Sequence, residues 1–279
     1  MSKFGSRSRV STYTSAWMPT DDGPPATDTV DYLIVAGGGY GSGGAGGMKS
    51  TVANTGGSVG TLQSVFSVVG GDLYTVTVGA GGAYAGTDSR VTKATDASIF
   101  LRVKGGGGDG VYYYNGSETG GSGGGSGGYA YGSTNIYIAG QPGTADQGHA
   151  GGGCLFNGPG NYAGTSGAGG GAGGVGGESN ADGNNFVYTR GAGGAGRTNS
   201  ITGTSITYAQ GGGNGTSGGS RGNNTGDGGN NAQYGNSGIV VLRYPTSYRA
   251  ALNTTGSPTY STVNDYHIYQ FTASGSITF

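Results

Sequence analysis

The glycines of the segment "YLIVAGGGYGSGG", residues 32–44, have a spacing that could bind a nucleotide. Gly39, Gly41 and Gly44 fit the pattern G-x-G-x-x-G directly after an apolar run, as in a dinucleotide-binding loop. That loop also needs a helix whose N-terminal amides hold the pyrophosphate, and an acidic residue about 20 positions further on. The next residues, "MKSTVANTGGSVG", show no helical periodicity and contain no acid. We therefore expect no nucleotide site and no cofactor.

The residues that could support catalysis or bind a metal are few and badly spaced. His149 and His267 have no Ser/His/Asp motif or carboxylate pair around them. Asp146, His149 and Cys154 lie in "DQGHAGGGC", which matches no zinc spacing, and "NADGNN" at 180–185 lacks the full pattern of a calcium loop. We expect neither an enzyme nor a metal site.

The composition indicates an unusual interior. Glycine contributes 70 of 279 residues, while Leu, Ile, Val and Phe together contribute 41, below the roughly 20% found in ordinary cores. The 13 basic residues nearly balance the 14 acidic ones, so the high net charge typical of disordered chains is absent. Twenty tyrosines favour a chain that packs.

The charge and hydropathy patterns argue against binding to nucleic acid and insertion into a membrane. They also indicate where the chain is made. A near-zero net charge gives no general attraction to nucleic acid. The N-terminal residues lack the apolar stretch of a secretory signal, and no run of about 18 apolar residues could span a membrane. We expect a chain made in the cytoplasm, without membrane insertion.

Glycine-rich runs alternate with Tyr- and Asn-rich segments along the chain. Without Cβ atoms, extended three-per-turn helices can pack until their backbone groups bond to one another, so we expect a bundle of polyglycine II-like helices joined by loops. The runs cover residues 37–47, 79–82, 105–110, 120–128, 151–153, 167–177, 191–196, 211–219 and 226–229.

Short apolar, β-branched segments predict strands that frame this bundle. They are "VDYLIVA" (30–36), two strands within 64–82 joined at Gly70-Gly71, "DASIFLRV" (96–103), and "GIVVLRYP" (238–245). The final segment, "YHIYQFTASGSITF", predicts a hairpin that turns at Ser274-Gly275. The predicted fold class is mainly β and irregular, with almost no α-helix.

The chain resembles the glycine-rich domain of bacteriophage tail fibres and adhesins. The resemblance rests on four features in this order: "VDYLIVAGGGYGSGGAGG", "YTVTVGAGG", the alternating segments and "GNSGIVVLRYP". The resemblance implies a polyglycine II bundle whose loops bind a host receptor. It divides the chain into an extended leader (1–29), a glycine-rich domain (30–245) and a C-terminal β-hairpin extension (246–279).

Two departures from the family pattern concern assembly. The strand that usually precedes "YLIVAGGG" comes last here, and we expect it to pair beside residues 32–35 of its own chain or of a neighbour; the second option builds a homo-oligomer, for instance a trimer. The leader is too short for a fibre shaft, so we expect it to dock on another virion protein. Trp17 and Met18 would serve there as an aromatic anchor.

The aromatic residues between the glycine runs are the candidate receptor contacts. Loops rich in Tyr, Ser, Gly and Asn have the composition of antibody paratopes, although many of these rings could simply cover the bundle. The candidates are Tyr112, Tyr113, Tyr114, Tyr129, Tyr131, Tyr137, Phe156, Tyr162, Phe186 and Tyr188.

The sequence leaves two functions open. The first is a virion protein, a tail fibre or tail-tip adhesin that recognises a glycan or an outer-membrane protein on the bacterial host. The alternative is a purely structural short fibre or decoration protein of the capsid, neck or baseplate. A cellular wall protein would carry a secretion signal, and none is evident.

Overall fold

The structure is a computed structural model and describes residues 23–53, 56–58, 60–95, 99–110, 119–127, 136–157, 166–182, 187–213, 222–230 and 233–279. These residues form seventeen strands and no helix, which confirms the predicted mainly β fold. Consequently, the described ranges contain no helical segment suited in length and hydropathy to crossing a membrane. The strands are β1 (Thr29–Val35), β2 (Met48–Ser50), β3 (Phe66–Ser67), β4 (Leu73–Thr77), β5 (Ser89–Lys93), β6 (Ile99–Val103), β7 (Ile136–Ile138), β8 (Cys154–Asn157), β9 (Ser179–Asp182), β10 (Val187–Thr189), β11 (Arg197–Asn199), β12 (Ile206–Tyr208), β13 (Ile239–Pro245), β14 (Asn253–Thr255), β15 (Thr259–Val263), β16 (Tyr266–Phe271) and β17 (Gly275–Thr278).

Two large antiparallel sheets form a sandwich. The six-stranded sheet has the order β15-β16-β13-β1-β2, with β3 also paired to β1, and the five-stranded sheet has the order β14-β17-β4-β5-β6. Ile34, Leu242 and Phe271 of the first sheet pack in one buried cluster with Val76 and Ile277 of the second. The hydrophobic core of the sandwich lies between the two sheets.

The six-stranded sheet is buried on its other face as well. Leu33 and Val241, which are directly opposed on β1 and β13, form a second cluster with Ile201 and Tyr208 of the β11–β12 hairpin region. A strand buried on both faces needs a continuous apolar run instead of alternation. This explains the runs "YLIV" and "IVVL" that predicted these strands.

The predicted hairpin turn at Ser274-Gly275 is wrong. The chain does not reverse within one sheet at Ser274-Gly275, because β16 belongs to the six-stranded sheet and β17 to the five-stranded sheet. The closing strand β17 pairs with β4 and β14, so it does not lie beside residues 32–35. The hairpin in this region is β15–β16, whose turn residues Asn264 and Asp265 have φ values of 50° and 62°, as two-residue hairpin turns require.

The glycine runs leave the ends of the strands and pack against one another; we call their described parts the glycine bundle. Backbone hydrogen bonds join different runs. The Gly44 N–H donates to Gly107 O (2.7 Å), the Gly107 N–H to Ser122 O (2.9 Å), and the Ser122 N–H back to Ala45 O (3.1 Å). The bundle comprises residues 37–47, 79–82, 105–110, 120–127, 151–153, 167–177, 191–196, 211–213 and 226–229.

Most of the glycine bundle is buried, and the bundle is too tightly packed for a side chain at most of its glycines. An added Cβ atom on Gly124 would overlap the carbonyl oxygen of Gly108, and one on Gly169 would overlap that of Gly43, both well inside 3.0 Å. Real Cβ atoms do not approach a backbone this closely. The bundle is therefore a second core, built from peptide groups.

The run 191–196 shows a three-residue period in its burial. Gly191 and Gly194 are buried, while Ala192 and Ala195, one position further along, are exposed. A period of three is that of an extended three-per-turn helix with one side facing solvent. The assignment of polyglycine II helices to the whole bundle remains a prediction.

Two glycines three positions apart test the packing. In Gly171→Ala the new Cβ meets the carbonyl oxygens of Gly194 and Ala195 at under 3 Å, whereas in Gly174→Ala its nearest neighbour is Ala195 N at 3.3 Å. We expect the first change to lower the free energy of unfolding by about 1–3 kcal/mol or more, and the second to leave it within about 1 kcal/mol. Urea unfolding measures both. Equal stabilities would contradict a close-packed bundle.

Candidate binding surface

The turn at residues 40–43 lies at the end of the glycine bundle away from the sandwich, which we call the outer end. β1 leads directly into residues 37–39, and residues 44–47 return to β2. The Gly39 N–H donates to Gly44 O (2.9 Å) and closes the turn. The glycines that matched the nucleotide pattern therefore form a tight turn followed by the strand β2.

Three tyrosines from separate turns meet at the outer end, and we call Tyr40, Tyr84 and Tyr234 the aromatic tip. The Tyr40 N–H donates to Tyr84 O (2.7 Å), and the rings of Tyr40 and Tyr234 lie 5.8 Å apart between centroids. Tyr84 is 78% exposed and Tyr234 67% exposed. The aromatic tip thus presents large side chains to solvent on a backbone fixed by hydrogen bonds.

Asp109 connects a further run to the aromatic tip. Its carboxylate Oδ2 accepts from the Ser42 N–H (3.0 Å), and its own N–H donates to Tyr40 O (3.2 Å). The next run of tyrosines, residues 112–114, begins three positions after Asp109 but lies outside the described residues.

The four-stranded sheet, in the order β10-β9-β8-β7, continues from the bundle through Gly153. Its strands are antiparallel except for the parallel pair β8–β9. One row across this sheet, by register, contains Tyr137, Leu155, Asn180 and Thr189. Because directly opposed residues share a face of a sheet, this row defines one face, which we call the small-sheet face.

The small-sheet face combines an aromatic ring with paired polar groups. Tyr137 is 54% exposed, and its hydroxyl donates to Glu178 Oε1 (2.9 Å), which raises the pKa of the phenol. Asn157 Nδ2 donates to Asn180 Oδ1 (3.1 Å) on the neighbouring strand. Amides and carboxylates offer both donors and acceptors, the groups that fix the orientation of a polar ligand.

The prediction that Phe156 contacts a receptor is wrong. It is fully buried with Cys154 and Ala181 on the opposite face of the sheet, so its ring is not available to a receptor. The cause is alternation along β8, which points Cys154 and Phe156 inward and leaves Leu155 and Asn157 on the small-sheet face. Burial also raises the pKa of the Cys154 thiol.

Most of the other candidates lie outside the described residues. Tyr188 lies on β10, opposite Ala181 in register, and its side chain is outside the description. The remaining receptor candidates and both docking candidates lie outside the described residues: Tyr112, Tyr113, Tyr114, Tyr129, Tyr131, Tyr162, Phe186, Trp17 and Met18.

The aromatic tip was not among the sites predicted from the sequence. Its tyrosines stand singly inside or beside glycine runs, in "GGGYGSGG", "GGAYAG" and "AQYGN", and not in the Tyr- and Asn-rich segments. A single tyrosine at the point where one glycine run reverses into the next is the signal that identifies such a position.

His267 and Asp146 each have partners within the fold. His267 Nδ1 accepts from the Tyr260 hydroxyl (2.8 Å), because its Nε2 donates to the carbonyl of Tyr248 (3.0 Å). Asp146 pairs with Lys49 at 2.6 Å. Over the part of the chain that the structure describes, no three His, Cys, Asp or Glu side chains are grouped to hold a metal ion.

The fold defines a class of protein in which a β-sandwich supports a glycine-rich interior that ends in exposed aromatic groups. The family of glycine-rich domains matches residues 12–245, and the chain belongs to this family. Residues 246–279 lie beyond the match, although their strands complete both large sheets. No curated protein and no solved structure matches the chain.

Two aromatic residues of the four-stranded sheet test which face is exposed. Phe156→Ala removes a fully buried ring and is expected to lower the free energy of unfolding by about 3–5 kcal/mol. Tyr137→Ala removes a half-exposed ring, and we expect less than about 1 kcal/mol. Chemical unfolding of both variants gives the comparison, and a larger loss for Tyr137→Ala would reverse the assignment of the faces.

Proposed function

We propose that the protein is a bacteriophage virion protein, a tail fibre or tail-tip adhesin, and that it recognises the bacterial host through the aromatic tip and the small-sheet face. The observation that carries this proposal is the display of three tyrosines from separate turns at the outer end. Their rings stand on a backbone held by hydrogen bonds.

The direction of the chain supports this proposal. Residues 23–26 enter the fold beside the Gly70-Gly71 turn, where the Arg249 N–H donates to Pro25 O (2.9 Å) and Ala26 packs close to Gly70. β1 and β4 both start at this end of the sandwich and run towards the glycine bundle. Residues 23–26 and the aromatic tip thus lie at opposite ends of the described chain, which suits an adhesin that attaches through the residues before 23.

The chemistry of the surface suits recognition of a glycan or an outer-membrane protein. Tyrosine supplies a large, rigid contact area with a hydroxyl at its edge, and asparagine and serine supply adaptable hydrogen bonds. A rigid scaffold lets such residues change without disturbing the fold. In this proposal Tyr112, Tyr113, Tyr114 and Tyr129 remain candidate receptor contacts.

The proposal includes two assembly contacts. Residues 1–29 dock the protein on another virion protein, with Trp17 and Met18 as the buried anchor. The protein acts in the virion as a homo-oligomer, of which a trimer is one form, since multiple copies raise the avidity of individually weak contacts.

A purely structural role, as a short fibre or as a decoration of the capsid, neck or baseplate, is favoured by a different observation. Leu62, Val65 and Val69, in the segment that contains β3, are more than half exposed. Apolar side chains exposed next to one another often mark a protein interface. A subunit enclosed in a particle would cover this segment.

Competition on host cells distinguishes the two roles. Purified protein is added to the bacterial host, and binding to cells and blocking of phage adsorption are measured against dose. An adhesin coats the cells and blocks adsorption. The triple change Tyr40→Ala, Tyr84→Ala and Tyr234→Ala is expected to weaken cell binding at least about tenfold, because aromatic anchors dominate binding energy.

Tyr260→Ala is the matched control, since Tyr260 is 48% exposed on the edge strand β15, away from the outer end. Cell binding should be unchanged in this variant, and circular dichroism verifies the folding of all the proteins. Folded protein in its native oligomeric state that does not bind host cells would favour the structural role.

A further inference from the structure

The strand β3 forms an open edge of the six-stranded sheet. It pairs with the first residues of β1 and, among the described residues, with no other strand. The Val68 N–H donates to Asp28 O (2.8 Å), so the backbone groups of Val68 face β1. Because backbone groups alternate in direction along a strand, those of Val65 and Ser67 point away from β1. Within the described ranges, neither residue takes part in a backbone hydrogen bond on that side.

Apolar side chains flank this open edge. The side chains of Val65 and Val69 are more than half exposed, because the residues that alternate with them point into the core of the sandwich. Leu62 is exposed to a similar extent. We call the outward backbone groups of Val65 and Ser67, together with these three exposed side chains, the β3 edge. An extended segment added here would gain both ladder hydrogen bonds and apolar contacts, which is the chemistry of β-strand addition.

The sequence around β3 lacks the features that protect an open edge. Natural edge strands are blunted by charged residues or proline, and neither occurs between Lys49 and Asp72. The segment "SVFSVV", residues 64–69, is instead uncharged and rich in β-branched residues. An exposed segment of this kind pairs readily with other extended chains. We therefore expect a further segment to cover the β3 edge.

The N-terminal leader enters the fold next to the β3 edge. Ala26 packs close to Gly70, the residue at which the chain turns after the β3 edge. Ser67 lies three positions before Gly70, which is roughly 10 Å along a strand. The stretch of leader from residue 14 to residue 23 can span about 30 Å. The part of the leader that precedes the described residues is therefore long enough to return along the β3 edge.

One stretch of the leader has the composition of a strand. Residues 10–14, "VSTYT", carry no charge, and all but Ser11 are β-branched or aromatic, the residue types favoured in strands. The stretch is also tethered to the fold. A short tether gives an effective concentration in the millimolar range, far above the micromolar concentration of a second copy in solution. The tether therefore favours the leader over a second copy as the occupant of the β3 edge.

We propose that residues 10–14 of the leader add to the β3 edge of their own chain as a further strand. The backbone groups of Val65 and Ser67 pair with this strand, and its side chains cover the exposed apolar ones. Trp17 and Met18 then follow the added strand, where they are available to a virion partner. The inference does not rest on the proposed function, because the strand forms whatever the protein binds.

Amide hydrogen exchange of the full-length protein, resolved by residue, measures both sides of this contact. We expect the amides of Val65 and Ser67, and several within residues 10–14, to exchange at least about tenfold more slowly than in an unstructured peptide. The protection should be independent of protein concentration. Protection that falls on dilution assigns the β3 edge to another copy and overturns the proposal. Fast exchange on both sides leaves the edge to a different virion protein and also overturns it.

A pair of proline variants tests the leader side. The double change Thr12→Pro and Tyr13→Pro removes two neighbouring N–H groups, and because neighbours face opposite sides of a strand, one of them must be a ladder donor. We expect the amides of Val65 and Ser67 to lose their protection. The double change Gly5→Pro and Ser6→Pro, outside residues 10–14, is the matched control and should leave it unchanged. Equal protection in the two variants overturns the proposal.

A pair of lysine variants tests the sheet side. Val65→Lys with Val69→Lys places two charges on the β3 edge, at exposed positions where the core is not disturbed. We expect residues 10–14 to exchange at least about tenfold faster than in the parent protein. Val175→Lys with Leu252→Lys, which changes two equally exposed apolar residues elsewhere, is the control. Circular dichroism verifies folding, and unchanged protection of residues 10–14 in the folded β3-edge variant overturns the proposal.

Discussion

The structure depends on hydrogen bonds between backbones that approach one another where no Cβ atom intervenes. Ordering a glycine costs about 0.5–1 kcal/mol more than ordering alanine, and a typical hydrogen bond returns a net of about 0.5–1.5 kcal/mol. Such bonds offset the cost only when most buried peptide groups find partners. The sandwich makes this feasible, because its strands hold the ends of the glycine runs in fixed positions. One run follows β1 and another precedes β13, and the Gly238 N–H donates to Gly79 O (2.8 Å).

The framing strands could be predicted from the sequence, and their partners could not. The apolar runs at 30–36 and 238–245 coincide within one residue with β1 (Thr29–Val35) and β13 (Ile239–Pro245), because strands buried on both faces need such runs. The segment around Ser274-Gly275 has the same turn chemistry whether the chain reverses in one sheet or crosses to another. Only the packing of the two sheets decides between these outcomes.

The candidate surface was predictable only in part, because the sequence does not show which side chains point to solvent. Tyr137 was identified from its loop composition and is exposed, whereas Phe156, chosen by the same criterion, faces inward. A four-residue strand such as "CLFN" does not reveal which of its faces meets solvent. Tyr84 and the other tyrosines of the aromatic tip were not predicted, because each stands alone in a glycine-rich segment. Only the folded structure brings their turns together.

A core made of peptide groups has a consequence for the temperature dependence of stability. Exposing apolar surface raises the heat capacity on unfolding, while exposing polar surface lowers it. Unfolding of the glycine bundle exposes mostly peptide groups, so the heat capacity change per residue falls below that of an ordinary domain. For a given maximum stability, a smaller heat capacity change makes the stability curve flatter and widens the temperature range between cold and heat unfolding.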